Sequence, residues 1–481
     1  MIERIEDRRE REENEAKKEE RQRERFASRQ SKTVLRMLRR LKELSGAPSA
    51  LNPFIQVLQD TFEERLPLPA SQKKKRVGTY CVMVPPELIY AAGAIPVKLC
   101  SGDFTAFSVG DEQTPRDACP LVKAVEGFVE SHQMPLYEDC SLMVVPITCD
   151  CKKKIAEMLK EACPVLPLRV PALRGDDDID AFTDQLYELL SRLEKLTGRK
   201  VTYDSLRKAM RMEGNIMYAL STFAKLRRSN PYLIRGSHAL AALQACAYMP
   251  LHKQLSALRA LNEELLERKK QGTLVSHRNL PKILLIGSPF IFPNFKVPLL
   301  IEEMGGIVVA DETCQGERGR SDPAVPVDTS FDGMMRALAN RSLRPCSCPT
   351  FADNSERIYR IKQLIKEGQI SGVIYHVLRG CLVYDFEYRL IEEELGKMDI
   401  PIIRLETDYN EEDVEQLRIR IEAFIELLRL SQEPAKAPVI RRDWDEQECK
   451  EEEPSNPEED AAMEEKKIRR RLPTVGAKKK T

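Results

Sequence analysis

Short runs of β-branched and apolar residues recur through the middle of the chain, at residues 142–146, 165–170, 282–287, 307–310, 372–376 and 402–405. None alternates apolar with polar positions, so each predicts a strand buried on both faces, as in a parallel sheet. Amphipathic stretches between them, such as 387–397 and 413–430, predict helices. Strand and helix in alternation predict an α/β architecture. From residue 181 to 268 the pattern changes to long helical segments without a convincing strand. At both ends the apolar pattern lapses. Residues 1–32 alternate Glu with Arg and Lys, and the C-terminal stretch carries an acidic block at 451–459 followed by basic clusters at 466–471 and 478–480. Such segments predict solvated helix or disorder. The chain therefore divides into a charged tail (1–32), a first α/β domain (33–180), a helical segment (181–280), a second α/β domain (281–432) and a second charged tail (433–481). No internal repeat is visible, although two α/β domains could share a fold without sequence likeness.

Composition narrows the class. A length of 481 residues allows two to four domains and an ample core. Lys plus Arg and Asp plus Glu number 76 each, so the chain has no global field for nucleic acid or an anionic membrane. No apolar run reaches the roughly 18 residues needed to span a bilayer. The charged N-terminus lacks the apolar stretch of a secretory signal. A cytoplasmic protein with neither nucleic-acid nor membrane partners is expected. Thirteen cysteines are an odd number and too sparse for a secreted disulfide scaffold. They need another explanation.

Position supplies one. Cys149, Cys314 and Cys381 each follow a predicted strand, while Cys81 and Cys119 precede predicted helices that open with proline. In open α/β sheets ligands gather beyond the carboxyl ends of the strands, beside helix N-termini, where free N–H groups favour thiolate and negative metal–sulfur centres. These five cysteines read as metal ligands. Cys100, Cys163 and Cys246, in apolar or helical contexts, read as small core residues. Two Cys-x-Cys pairs, Cys149/Cys151 and Cys346/Cys348, complete the set. Paired zinc knuckles of Cys-x(2–4)-Cys spacing are absent, whereas iron–sulfur clusters accept thiolates from distant loops.

These residues also carry a resemblance. The segment from Cys81 to Val97, with Asp117-Ala-Cys119-Pro, Pro146-Ile-Thr-Cys149-Asp, Asp311-Glu-Thr-Cys314, Leu378-Arg-Gly-Cys381-Leu-Val-Tyr-Asp-Phe-Glu387 and the stretch from Ile400 to Tyr409, resembles the 2-hydroxyacyl-CoA dehydratase and benzoyl-CoA reductase family. The likeness covers about residues 76–432 in order. It implies two Rossmann-like (flavodoxin-like) domains with an oxygen-sensitive cluster in the crevice between them. By the resemblance, Cys81, Cys119 and Cys381 match the three ligands of a single [4Fe-4S] cluster. The further cysteines, Cys149, Cys314 and the Cys346/Cys348 pair, are similar to the double-cubane [8Fe-9S] branch, which is homodimeric. The expected division puts Cys81, Cys119 and Cys381 on one cubane, and Cys149, Cys314 and either Cys346 or Cys348 on the other. Cys151 departs from the pattern by standing where glycine is usual.

No G-x-x-x-x-G-K-[ST] or G-x-G-x-x-G motif occurs. That agrees with the family's reliance on a separate ATP-dependent iron–sulfur activator. The function so implied is an iron–sulfur reductase acting on a small molecule with low-potential electrons. The alternatives are a 2-hydroxyacyl-CoA dehydratase subunit with one [4Fe-4S] cluster, acting on an acyl-CoA, and a non-catalytic scaffold of the same fold. Among five scattered histidines, only His376 falls near a cysteine loop. Glu87 and Glu387 read as structural carboxylates at helix N-termini.

Overall fold

The computed structural model describes residues 2–62, 75–131, 139–277, 279–318, 322–344 and 348–432. Cys346 and the whole of the C-terminal charged tail lie outside them. The chain opens with helices α1 (Ile2–Glu43) and α2 (Asn52–Phe62). A first α/β half follows: β1 (Arg76–Thr79), α3 (Pro86–Ala91), β2 (Ile95–Lys98), α4 (Phe104–Gln113), α5 (Pro120–Ser131), β3 (Cys140–Ile147), α6 (Asp150–Met158) and β4 (Val165–Arg169). Four helices come next, α7 (Asp176–Thr197), α8 (Tyr203–Ser229), α9 (Gly236–Ala245) and α10 (Leu251–Gln271). The second half comprises β5 (Lys282–Gly287), α11 (Lys296–Glu303), β6 (Ile307–Glu312), α12 (Phe331–Leu343), α13 (Ser355–Gly368), β7 (Gly372–Leu378), α14 (Leu382–Gly396), β8 (Ile402–Thr407) and α15 (Val414–Gln432).

The two sheets have the same plan. One runs β2-β1-β3-β4 and the other β6-β5-β7-β8, every pairing parallel. In each, the order reverses beside the first strand, which opens a crevice at the carboxyl edge between strands one and three. All six expected strands are present. Two more, β1 and β2, carry weak signals: β1 is only Arg-Val-Gly-Thr, and β2 contains Pro96, which a sheet tolerates because β2 is an edge strand. Strand β6 also runs two residues beyond its apolar stretch, taking in Asp311 and Glu312, both fully buried.

Helix α1 continues through residue 32, and from Phe26 onward it is docked. Phe26, Gln30, Val34, Met37, Leu38 and Leu41 recur at helical spacing and are buried. One apolar core joins α1, α2, α5, α8, α9 and α10 to one face of each sheet. Helix α12 contributes Met334, Met335, Leu338 and Leu343 to the core of the first half, beside Phe182 and Leu186 of α7. The halves are thus interleaved, with a helix from late in the sequence packed on the earlier one.

Helices α4 and α5 set the position of Cys119, which lies in the turn between them. Their backbones touch: a Cβ on Gly127 would stand 1.8 Å from the carbonyl oxygen of Ala106, and one on Gly110 would stand 1.8 Å from that of Lys123. Lys123, buried in the crossing, donates to Asp111 Oδ1 at 2.5 Å and to the carbonyl of Arg116 at 2.6 Å, which fixes the turn. Gly127→Ala is expected to force the pair apart and cost about 3 kcal/mol, read as a drop in Tm.

Two buried groups give the fold opposite responses to acid. His376, in the middle strand β7, stacks on Phe290 at 4.3 Å and its Nδ1 lies 2.8 Å from the carbonyl of Ser288. Burial pushes its pKa down to about 4. Asp103, the N-cap of α4, accepts from the Ala106 amide at 2.8 Å, and burial raises its carboxyl to about 6. As pH falls from 6.5 towards 4, the unfolded histidine takes up a proton that the native one refuses, so stability is lost. Over nearly the same window, from about 6 down to 3.8, native Asp103 takes up a proton that the unfolded carboxylate does not, so stability is gained. Each effect is worth about 3 kcal/mol and the two oppose. His376→Gln should therefore flatten or reverse the acid loss of stability, and Asp103→Asn should steepen it. Urea midpoints at about pH 7 and pH 4.5 read both, and equal slopes in all three proteins would refute the assignment.

Candidate metal–sulfur site

The register sets the carboxyl ends of β1 and β2 level, with Thr79 opposite Lys98, while β3 runs on past Val144, its residue opposite Thr79, to Ile147. Residues just beyond those ends therefore share one edge. In the first half these are Cys81 after β1, Cys100 after β2 and Cys149 after β3. In the second half they are Ser288 after β5, Cys314 after β6 and Cys381 after β7. Cys119 precedes α5, and Cys348 lies in the segment before α13.

The two halves meet along this edge. Gly380, at φ +74°, brings its backbone so close to Asp117 that a Cβ would stand 2.3 Å from the Asp117 carbonyl oxygen, so only glycine fits. That contact sets Cys381 beside Cys119, and the two thiols share a hydrogen bond. Cys149 is also within charge–charge range of both. A second neighbourhood forms around Cys314, whose surroundings include the sulfurs of Cys81 and Cys100. Cys348 likewise lies near Cys81. The described sulfurs of the edge thus gather as Cys119, Cys149 and Cys381 on one side, with Cys151 near Cys149 and packed against the apolar core, and Cys81, Cys100, Cys314 and Cys348 on the other. Cys140 and Cys163 stand apart at the far end of the first sheet, where Cys163 donates to the carbonyl of Cys140 at 3.1 Å. Cys246 is buried in the helical core.

Helix starts shape the electrostatics. Cys149 is the N-cap of α6 and Cys381 that of α14, while Cys119 sits one residue before α5. The nearby amides of Lys152, Tyr384 and Leu121 each favour thiolate on their cysteine. Cys81 takes a left-handed backbone, φ 67°, unusual for a residue with a side chain. Burial opposes ionisation of Cys81, but the ammonium of Lys152 and the amide of Met83 outweigh it and hold its pKa below the ordinary value. Between Cys119 and Cys381 the shared hydrogen bond leaves the proton on Cys119 and the charge on Cys381, aided by the hydroxyl of Ser288. Burial pushes Cys314 up to about 12 and Cys348 to about 11.

A dry ionic lattice supports the Cys314 loop. Arg318 Nε lies 3.0 Å from Glu312 Oε1, and its Nη1 donates to the Tyr384 hydroxyl at 2.9 Å. Arg357 pairs with Glu312 and, at 2.7 Å, with Glu387, which also accepts from Tyr375 at 2.7 Å. Asp311 accepts from the Glu317 amide at 3.0 Å, and Glu317 is paired with Arg227 at 3.0 Å and Arg228 at 2.7 Å. Glu387 is therefore a structural carboxylate. So is Glu87, held by both terminal nitrogens of Arg341 at 2.5 and 2.8 Å. His376 lies in the sheet below the edge, satisfied by Ser288.

Lys152, Ser288 and Arg318 were not singled out by the sequence, and Cys100 read as core. Cys100 would have been found had β2 been recognised, because it then stands beyond a strand end like the others. Among the described residues no three His, Cys, Asp or Glu side chains converge closely enough to hold a single metal ion. The soft thiol donors and the positive groups facing them suit a larger, negatively charged iron–sulfur group, the donor set that such clusters take.

Comparison with known proteins places this edge in a family. The model of the 2-hydroxyglutaryl-CoA dehydratase D-component matches residues 81–428, a span that opens on Cys81 and includes every cysteine of the crevice. A protein of Escherichia coli (strain K12), provisionally named dehydratase subunit YjiM, is 32% identical over 356 residues, covering 73% of this chain and 91% of that protein. The β subunit of (R)-2-hydroxyglutaryl-CoA dehydratase from Acidaminococcus fermentans is 25% identical over 74% of this chain and 93% of its own length. One of the subunits of benzoyl-CoA reductase from Thauera aromatica is 21% identical over 75% and 92% respectively. The chain belongs to the 2-hydroxyglutaryl-CoA dehydratase D-component family, whose relatives include both dehydratases and reductases.

Proposed function

We propose that the chain is an iron–sulfur reductase that holds a double-cubane [8Fe-9S] cluster at the carboxyl edges of its two sheets. The observation that carries this reading is the number of thiols on that edge: seven cysteines in loops from both halves, where one cubane needs three. The neighbourhoods of the sulfurs favour Cys119, Cys149 and Cys381 for one cubane and Cys81, Cys314 and Cys348 for the other. This division differs from the one expected from the sequence by exchanging Cys81 and Cys149. Cys100 borders the second group, and Cys346 is a further candidate outside the described residues. When bound, the cluster supplies low-potential electrons to a small-molecule substrate. The chain orients it, buries it and tunes it through hydrogen bonds to sulfur.

The dehydratase and reductase relatives named as subunits are parts of larger assemblies, which supports a partner protein here. We assign that role to a separate ATP-dependent iron–sulfur activator, with the chain itself as a homodimer. None of the described helices is long and apolar enough to cross a membrane, and a cytoplasmic location fits the proposed chemistry. A second reading rests on the dehydratase names among the relatives: one [4Fe-4S] cluster removing water from a 2-hydroxyacyl-CoA beside a paralogous partner.

Iron and acid-labile sulfide in anaerobically purified protein separate these readings. About eight irons per chain is expected for the double cubane and about four for the single one, and zinc without sulfide would refute both. Cys314→Ala should lower the iron content and abolish low-potential reduction while the protein stays soluble. Cys246→Ala should leave iron unchanged and cost only about 1 kcal/mol of packing. Full iron and activity in the Cys314 variant would replace the double-cubane reading with the dehydratase one.

A further inference from the structure

Three lysines follow the cysteines at the start of α6, and they have different surroundings. Lys153 and Lys154 are exposed, whereas Lys152 turns inward and is half-buried. Its charged neighbours are the sulfurs of Cys81, Cys100, Cys149 and Cys314. Its charge also reaches Cys348 and Cys381. Lys152 thus stands between the two neighbourhoods of thiols, in reach of members of each.

Most other inward cations among the described residues have carboxylate partners; Lys98, which also faces Cys81, donates to the Cys81 carbonyl at 2.6 Å. Lys123 has Asp111 at 2.5 Å, Lys296 has Asp413 at 2.6 Å and Arg318 has Glu312 at 3.0 Å. Arg318 also faces Cys314 and Cys348 and favours their thiolates, but it is tied to Glu312, and Lys152 is not tied in this way. Among the described residues no carboxylate lies within ion-pair distance of Lys152. A cation withdrawn from water without a counter-charge is costly, and a fold tolerates it where negative charge is to be held. Thiolates alone supply some of that charge, and a thiolate-ligated cluster gains one more negative charge with each electron it accepts.

We propose that Lys152 is the fixed counter-cation of the metal–sulfur site, a positioning residue that offsets the charge of the reduced cluster and makes its reduction easier. The proposal rests on the iron–sulfur reading above. The step involved is the transfer of one electron from an external donor to the cluster, the donor being oxidised by one electron. Lys152 keeps its proton throughout. A positive charge beside the cluster stabilises the reduced member of the couple more than the oxidised one, so removing it moves the midpoint potential in the negative direction.

The test compares the whole protein with Lys152→Met, which keeps the length of the side chain and removes the charge, and with Lys152→Arg, which restores the charge. Each is purified without oxygen, assayed for iron and sulfide, and titrated with titanium(III) citrate in the presence of mediator dyes, the reduced cluster being read by electron paramagnetic resonance. At a solution potential poised at the midpoint of the unaltered protein, the ratio of reduced to oxidised cluster in Lys152→Met should fall at least tenfold, while Lys152→Arg should stay close to the original ratio. Where Lys152→Met takes up no cluster and Lys152→Arg takes up a full one, the requirement for charge is met in a stronger form. An unchanged ratio in an iron-replete Lys152→Met protein overturns the proposal, as does equal loss of cluster from the Met and Arg variants. An unaltered protein without iron and sulfide would sink the underlying reading instead, so the two failures are distinct.

Discussion

Two carboxylates buried side by side at the end of β6 must be neutralised, and much of the second half is folded around the arginines that do it. Asp311 and Glu312 are fully enclosed in protein, where an isolated carboxylate would cost several kcal/mol. Arg318 comes back from the loop that carries Cys314, Arg357 from α13 and Arg227 from α8. Glu387 of α14 and Glu317 of the loop, the latter shared with Arg228, then bring carboxylates and arginines to equal number. The partners come from several elements, so the lattice joins the Cys314 loop, the helix that begins at Cys381 and the helical layer. The Cys314 loop is positioned chiefly by ionic contacts, while Cys348 and Cys381 also pack against apolar clusters. Lattices of this kind specify one arrangement because a displaced member leaves another charge bare.

The first half reaches the same result by other means. Cys119 is located by two helices whose backbones touch, Cys149 by the start of α6, and Cys81 by a left-handed turn directly after β1. The contact of Gly380 with Asp117 then brings the halves together at the sulfurs themselves. Close backbone approach on one side and dense charge on the other both resist displacement. Thiols drawn from seven separate loops can therefore occupy a fixed edge.

Much of this was legible in the sequence, and the gaps have physical causes. Six strands announced themselves because a central parallel strand is apolar on both faces. Strands β1 and β2 did not: four residues holding one glycine, or a proline at an edge, carry no such signature. With β2 hidden, Cys100 looked like a core residue. The extension of β6 through Asp311 and Glu312 was equally out of reach, since carboxylates read as loop until their arginines, distant in the chain, are known. The cysteine loops stood out because each followed an apolar run or preceded a proline. Which sulfurs are neighbours depends on how two sheets face each other, and spacing along the chain holds no record of that. Lys152 was lost in a run of three lysines, of which only the tertiary fold distinguishes the first.

The shared order of the two sheets has a historical consequence. Taken strand by strand, Cys100 of the first half corresponds to Cys314 of the second and Cys149 to Cys381, each following the same strand of its sheet. Cys119 and Cys348 both fall between the second and third strands. Duplication of a single four-stranded unit leaves such a pattern, with one strand order and matching loops in both halves. The one broken correspondence is Cys81 with Ser288. There the descendants have diverged: one half keeps a sulfur, while the other keeps a hydroxyl that serves the sulfur of Cys381. A symmetric ancestor would have presented equal sets of thiols from its two copies. Halves encoded separately along one chain can each change alone, and the asymmetry between ionic support in one and backbone support in the other is divergence of that kind.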